Sequence, residues 1–319
     1  MLQLKTRSEY SFRTAYGPVE KIIEVCDGDS IGICDAGTWG HVAFRNACEA
    51  VNKKPIYGVE IAFVDDARSR EKQANNYMSF LAKNNDGLKE IYELVTRSTD
   101  NFYYYPRLDY SDLFDISDNV IIFSGANPNW GMLPTTHKDN LYIEIGPMST
   151  KKALDACSKG FKPVAVCDNF YPRPEDKKVY EVLVGRNRQQ RTKPMYIMNE
   201  WEHKSAIKWC PEEAITNTYE ISKQCDATLP SAQMVRYKAT KTLEEMCRAG
   251  AKKLGINLKE PEYDKRIKRE LQLIKDKKFE DYFFVIADMV EYARKHMLVG
   301  PARGSAAGSL VCYLIGITD

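Results

Sequence analysis

Short apolar runs alternate with amphipathic stretches from residue 1 to about 215, and this alternation restricts the fold more than any other feature of the sequence. Residues 30–35, 54–63, 119–124, 140–145 and 162–168 read as buried strands. Between them, 18–26, 40–52, 87–98 and 150–160 read as helices; Leu88, Ile91, Tyr92 and Val95 share one face of the third. Strand and helix in regular turn predict a parallel α/β architecture, open or closed into a barrel. In such folds chemistry gathers at the strand C-termini, which nominates Asp35, Glu60, Ser124 and Asp168. Strand-terminal Asp residues also cap helices, so position alone does not separate the two roles.

A length of 319 residues suits two domains, and 44% hydrophobic with 28% charged residues suits ordinary globular cores. The net charge of +2 offers no global field for nucleic acid, so any such contact must come from local patches. No apolar run is long enough to span a bilayer and the first residues lack the apolar core of a signal peptide, so no membrane partner and a cytoplasmic location are expected. Nine cysteines without a Cys-x-x-Cys pair read as buried thiols, and the four histidines, none close to another, form no local metal motif. The densest basic run, Arg186 to Lys193, suits either a solvated loop or a contact to a nucleic-acid backbone. Residues 201–225 read as two helices, with Pro211 in the first turn of the second, and 227–232 as a link between domains.

Beyond that link the composition becomes helical. Residues 242–254, 263–276 and 279–295 carry apolar residues at helical spacing, and the second is rich in cations (Lys265, Arg266, Lys268, Arg269, Lys275). Met297 to Val299 reads as a short strand leading into Gly-Pro-Ala-Arg-Gly-Ser-Ala-Ala-Gly-Ser (300–309), which precedes an apolar helix over 310–317. Glycines, one fixed cation at Arg303, and hydroxyls at Ser305 and Ser309 before a helix start make the composition of an anion cradle. A small-residue packing turn has the same composition.

The stretch from Lys278 to Arg294, followed by Val299 to Asp319, resembles the opening of the palm in the C-family replicative DNA polymerases of bacteria, the DNA polymerase III alpha subunits. Leu4-Lys-Thr-Arg-Ser-Glu-Tyr-Ser11, Ile33-Cys-Asp-Ala-Gly-Thr-Trp-Gly-His41, Tyr77-Met-Ser-Phe-Leu-Ala-Lys-Asn84, Tyr105-Pro-Arg-Leu-Asp109 and Val164-Ala-Val-Cys-Asp-Asn-Phe-Tyr171 follow the order of the PHP domain that opens those chains. The resemblance implies an α/β fold, a PHP-type distorted (β/α)7 barrel over 1–228, followed by a mainly helical partial polymerase palm over 229–319.

Where the PHP site of such chains is active, its ligands hold a metal cluster. Those positions correspond here to Lys5, Arg7, Asp35, Ala36, Glu60, Tyr77, Ala126, Asp168 and Phe170, so six of the nine are replaced, two of them by cations. Too few donors remain, and two positive charges would repel the ions. The expectation is therefore that no metal binds and that Asp35, Glu60 and Asp168 form a buried ionic network with Lys5 and Arg7.

For the C-terminal part the resemblance implies that Gly304 and Ser305, with Arg303 and Ser309 beside them, contact the phosphates of an incoming dNTP. Ala302 departs from the glycine usual at that position and would be strained if its φ were positive. The Pro-Asp-x-Asp-x-Asp pattern that holds the two metal ions of nucleotidyl transfer is absent from these residues. The expected function is therefore the N-terminal portion of a DNA-directed DNA polymerase, inactive alone. It would act on primer-template DNA, with Mg2+ held only by carboxylates of a partner polypeptide that carries the remaining palm, thumb and fingers, as in a split phage enzyme. The alternatives are a non-catalytic nucleic-acid-binding scaffold and, given the missing ligands, the weaker case of a PHP phosphoesterase.

Overall fold

The computed structural model describes residues 1–185, 193–231, 233–302 and 304–319. Most of the basic run at 186–193, and Arg303, lie outside the described residues. The chain forms two compact units, Met1–Leu229 and Pro230–Asp319.

In the first unit the strands are β1 (Gln3–Thr6), β2 (Ser30–Asp35), β3 (Lys54–Val64), β4 (Asn76–Ala82), β5 (Arg107–Asp109), β6 (Val120–Phe123), β7 (Leu141–Ile145) and β8 (Lys162–Ala165). They join in the order β1-β2-β3-β4-β6-β7-β8, with the short β5 continuing the β2 edge of β3. This curled, seven-strand path is the PHP-type barrel sheet. Strand-helix alternation predicts a parallel sheet, but β4 runs antiparallel to both β3 and β6, and no helix separates β3 from β4. The helices α1 (Val19–Val25), α2 (His41–Ala50), α3 (Asn85–Asp100) and α4 (Lys152–Ser158) pack Ile22, Ile23, Phe44, Cys48, Leu88, Ile91 and Ala153 against the outer face of the sheet. Helices α5 (Lys177–Val184), α6 (Glu200–Ala206) and α7 (Glu212–Gln224) follow.

The inner face holds a separate core of Leu4, Cys34, Ile56, Leu81, Ile121, Phe123, Tyr142, Val164 and Val166. Strands β1 and β8 end the sheet, and their free edges are satisfied without a direct ladder. Thr218 Oγ1 of α7 accepts from Leu2 N at 3.0 Å, and Asn217 Nδ2 donates to Pro163 O at 2.7 Å. Asn169 then imitates a strand partner: its Oδ1 accepts from Arg7 N and its Nδ2 donates to Arg7 O, both at 3.0 Å. The fully buried His203 on α6 reaches the carbonyls of Ile145 and Val166 through Nε2, and burial pulls its pKa below the ordinary imidazole range. None of the nine thiols is paired.

The second unit is helical, with α8 (Leu243–Leu254), α9 (Pro261–Asp276), α10 (Glu280–His296) and α11 (Leu310–Leu314). Leu243, Cys247, Ala251, Ile267, Ile274, Phe284, Val311 and Leu314 form its core. Thr242 and Glu245 build a reciprocal capping box at the start of α8, and Gly255 at φ +70° ends that helix. Gly250 lets α11 approach closely, since a Cβ there would lie 1.7 Å from the Leu314 carbonyl oxygen. Residues 297–299 are irregular, not the strand expected from their apolar character; three residues without a partner strand have no ladder to join. The last helix is also shorter than the apolar run from which it was predicted.

Candidate functional site

Period-two alternation explains how the polar residues of the first unit come together. Ile56, Gly58 and Glu60 of β3 share the inner face, as do Tyr142 and Glu144 of β7, and Val164 and Val166 lead to Asp168 beyond β8. On β1 the register pairs Gln3 with Ile31 and Thr6 with Ile33, three steps against two. This bulge brings Lys5 to the same side as Leu4, and Arg7 follows. The inner columns of β1, β3, β7 and β8 therefore lead to charged groups at one mouth.

Lys5 Nζ lies 2.8 Å from Glu144 Oε1, 3.2 Å from Glu60 Oε1 and 3.5 Å from Asp168 Oδ1. Arg7 forms a two-pronged pair with Glu60 through Nε and Nη2, and Nη2 is also 2.6 Å from Asp168. The Lys5 and Glu144 side chains are only 2% and 1% exposed. Burial works against both cations, yet the surrounding carboxylates outweigh it and hold Lys5 and Arg7 above their ordinary ranges. For Glu144 burial wins against the pull of Lys5, and its carboxyl is pushed up to about 7. Phe170 lies under the Arg7 guanidinium, with 4.5 Å from the guanidinium carbon to the ring centroid. Asp168 holds φ +53°, a conformation Asp tolerates better than most residues.

The network differs from the expected one in a single member. Asp35 is not bound to the two cations: its carboxylate accepts from Ser8 N at 2.7 Å, Ser8 Oγ at 2.6 Å and Ser11 Oγ at 2.6 Å, tying down the loop after β1. Burial pushes its pKa up against these bonds. Glu144, which was not singled out, takes the third place. Its signal was present as a lone Glu in the apolar run Leu-Tyr-Ile-Glu-Ile, two residues beyond an inward tyrosine. Ser124 is fully buried and structural: its Oγ accepts from Glu144 N at 3.1 Å and donates to Gly125 O at 2.9 Å.

A cavity of about 670 Å³ opens at this mouth. Lys5, Arg7, Ala36, Glu60, Tyr77, Ala126, Asp168 and Phe170 all line it, so eight of the nine positions converge and Asp35 lies just outside. As a cation site the set does not fit a metal cluster. The carboxylate oxygens are taken up by Lys5 and Arg7, and Ala36, Ala126 and Phe170 carry no donor atom. Among the described residues no group of three or more His, Cys, Asp or Glu side chains is arranged to hold a metal ion.

In the second unit Gly304 to Gly308 form a 3-10 turn, and Gly304 and Ser305 are exposed. Gly304 has φ +64°, whereas Ala302 is not among the positive-φ residues, so the alanine carries no such strain. Ser309 caps α11 by accepting from Cys312 N at 3.2 Å, but it donates to Glu270 Oε2 at 2.8 Å and is not free for a ligand. No helix of the described residues is long and apolar enough to cross a membrane.

A curled barrel sheet whose mouth collects the residues of strand ends is the PHP architecture, and the sequence profile of the PHP domain matches residues 3–162. The chain belongs to the PHP domain family. Residues 241–319 match the bacterial DNA polymerase III alpha NTPase domain, and the two matches in this order are those of the N-terminal region of a C-family polymerase alpha subunit. The chain is 27% identical over 360 residues to a DNA polymerase III subunit alpha of Aquifex aeolicus (strain VF5), a match covering 91% of this chain and 31% of that relative. It is 29% identical over 311 residues to that of Staphylococcus aureus (strain Mu50 / ATCC 700699), covering 91% and 27%. For the subunit of Buchnera aphidicola subsp. Schizaphis graminum the identity is 25% over 377 residues, covering 100% and 32%. The chain thus spans about a third or less of the length of these curated relatives.

Proposed function

We propose that the chain works in the cytoplasm, in DNA replication, as the N-terminal portion of a DNA-directed DNA polymerase. What supports this reading is the presence, in the order found in the polymerase relatives, of a PHP unit and a helical unit that ends in an exposed Gly304-Ser305 turn. In this reading Gly304 and Ser305 receive the phosphates of an incoming dNTP, with Arg303 beside them. The carboxylates that hold Mg2+ for transfer lie outside these residues, further along the same polypeptide or on a second one that carries the rest of the palm, thumb and fingers.

The PHP unit acts as a support, with Lys5 and Arg7 supplying the positive charge that metals supply elsewhere. Two measurements test these readings. Primer extension should be undetectable with these 319 residues alone and appear when the missing palm is supplied; extension by the single chain would overturn the division. Metal analysis should find no zinc or manganese at stoichiometric level, and finding either would overturn the ionic replacement.

A further inference from the structure

The start of α11 is already occupied. Glu270 of α9 accepts from Ser309 Oγ at 2.8 Å and Val311 N at 3.0 Å through Oε2, and from Leu310 N at 3.2 Å through Oε1. Arg266, one turn earlier on α9, pairs with Glu270 through Nε and donates to Gly308 O at 2.6 Å through Nη2. With Cys312 N on Ser309 Oγ and Tyr313 N on Ser309 O, the first four N–H groups of the helix all have partners. A second anion at this point would meet a carboxylate that is only 14% exposed.

Burial pushes the Glu270 carboxyl up, but the Val311 amide, Arg266, Ser309 and the Leu310 amide outweigh it and hold the group below the ordinary carboxylate range. The helix itself is anchored from below by Val311 and Leu314 in the core and by the close approach to Gly250. The turn at 304–308 thus leaves a rigid base, while Gly304 and Ser305 remain exposed.

We infer that Glu270, with Arg266, is the positioning group of this turn: its carboxylate fills the amide seat at 309–311, so that a nucleotide phosphate is received at Gly304 and Ser305 and not at Ser309 or the helix start. The inference rests on the nucleotide reading given above for its ligand, and on the contacts alone for its geometry. Arg266 and Glu270 act through the backbone of the turn and are not catalytic residues.

Amide NMR of the 319-residue protein tests it, with dATP in the absence of metal as the probe. In the parent, dATP should shift the Gly304 and Ser305 amides and leave Leu310 and Val311 in place. Glu270→Ala should speed hydrogen exchange at Leu310 and Val311 about tenfold or more and weaken dATP binding about fivefold or more, while Cys247 and Ala251 of the core keep their protection. Glu270→Gln, which keeps one acceptor, should recover a substantial part of the dATP affinity; it replaces the alanine variant in all measurements if the core amides show that the latter is unfolded. Unchanged exchange at Leu310 and Val311, or a dATP shift centred on those two amides in the parent, overturns the inference. A titration in which no amide of the turn responds removes the nucleotide reading alone, and the exchange rates then decide the positioning role by themselves.

Discussion

The barrel mouth and the glycine turn solve opposite electrostatic problems with the same device. At the mouth, carboxylates from β3, β7 and the segment after β8 converge, and the cations between them are the side chains of Lys5 and Arg7. At α11, backbone N–H groups converge, and the anion among them is the side chain of Glu270. The two differ in burial. The Lys5–Glu144 pair is sealed, at 2% and 1% exposure, so each charge depends on its partner. The Arg266–Glu270 pair is half in water, with Arg266 53% exposed, and its Coulombic part is screened. The charged mouth of the barrel therefore behaves as part of the core, whereas the helix-start anion serves to set the path of an exposed turn.

The largest expected effect breaks the sealed pair. Lys5→Met removes a cation shared by Glu60, Glu144 and Asp168, so that a buried carboxyl must either take up a proton or stay uncompensated, and it should cost about 3–5 kcal/mol in the urea transition of the first unit. Pairing that change with Glu144→Leu should return most of the loss, because an apolar pair of similar volume can replace a buried ion pair at little cost. A single variant as stable as the parent would show that the mouth is wetter than its contacts imply.

Next in size is a pH effect. The folded value of Glu144 is about 7 against an ordinary 4.5, so the folded protein binds this proton more tightly than the unfolded chain does. Its contribution is most favourable below pH 4.5 and is lost as pH rises through 7. Between pH 5 and 8 the group should withdraw about 1–3 kcal/mol of stability, and Glu144→Gln should remove that slope from the urea midpoints. A parent and variant with parallel pH profiles would assign the slope to other groups.

Smaller still is the exposed member of the second site. Arg266→Ala should cost less than about 1 kcal/mol, well below Lys5→Met, and a comparable loss in both would erase the contrast between sealed and open pairs. Last, Ala302→Gly should not stabilise the second unit. Since Gly304 carries the positive φ, the substitution only loosens the unfolded chain, by about 0.4–1 kcal/mol in the unfavourable direction, and a gain in stability would place the strain at 302 after all.

Much of this was legible in the sequence. Apolar runs predicted β2 and β7 nearly to the residue, and helical spacing predicted α3, α8, α9 and α10 within a few positions. Strand β4 was missed because Asn-Tyr-Met-Ser-Phe-Leu-Ala mixes polar and apolar residues without a turn signal before it, and β5 because three residues carry too little pattern. Resemblance alone places Lys5, Arg7, Glu60 and Asp168 together. Glu144 had no such help, and only the inner-face parity of β7 explains its place.

What the sequence determined by itself is the alternation that makes the sheet, the helical spacing that makes the second unit, and the two cations, Lys5 and Arg7, near the end of the first strand; these are properties of residue type and period. Which carboxylate answers which cation, and which anion sits at α11, only the tertiary structure decided. A bulge of one residue in β1 sets the side on which Lys5 emerges, and Glu270 meets Leu310 and Val311 across 40 and 41 positions of chain. Such pairings depend on the register and packing of distant segments, and local periodicity carries no information about them.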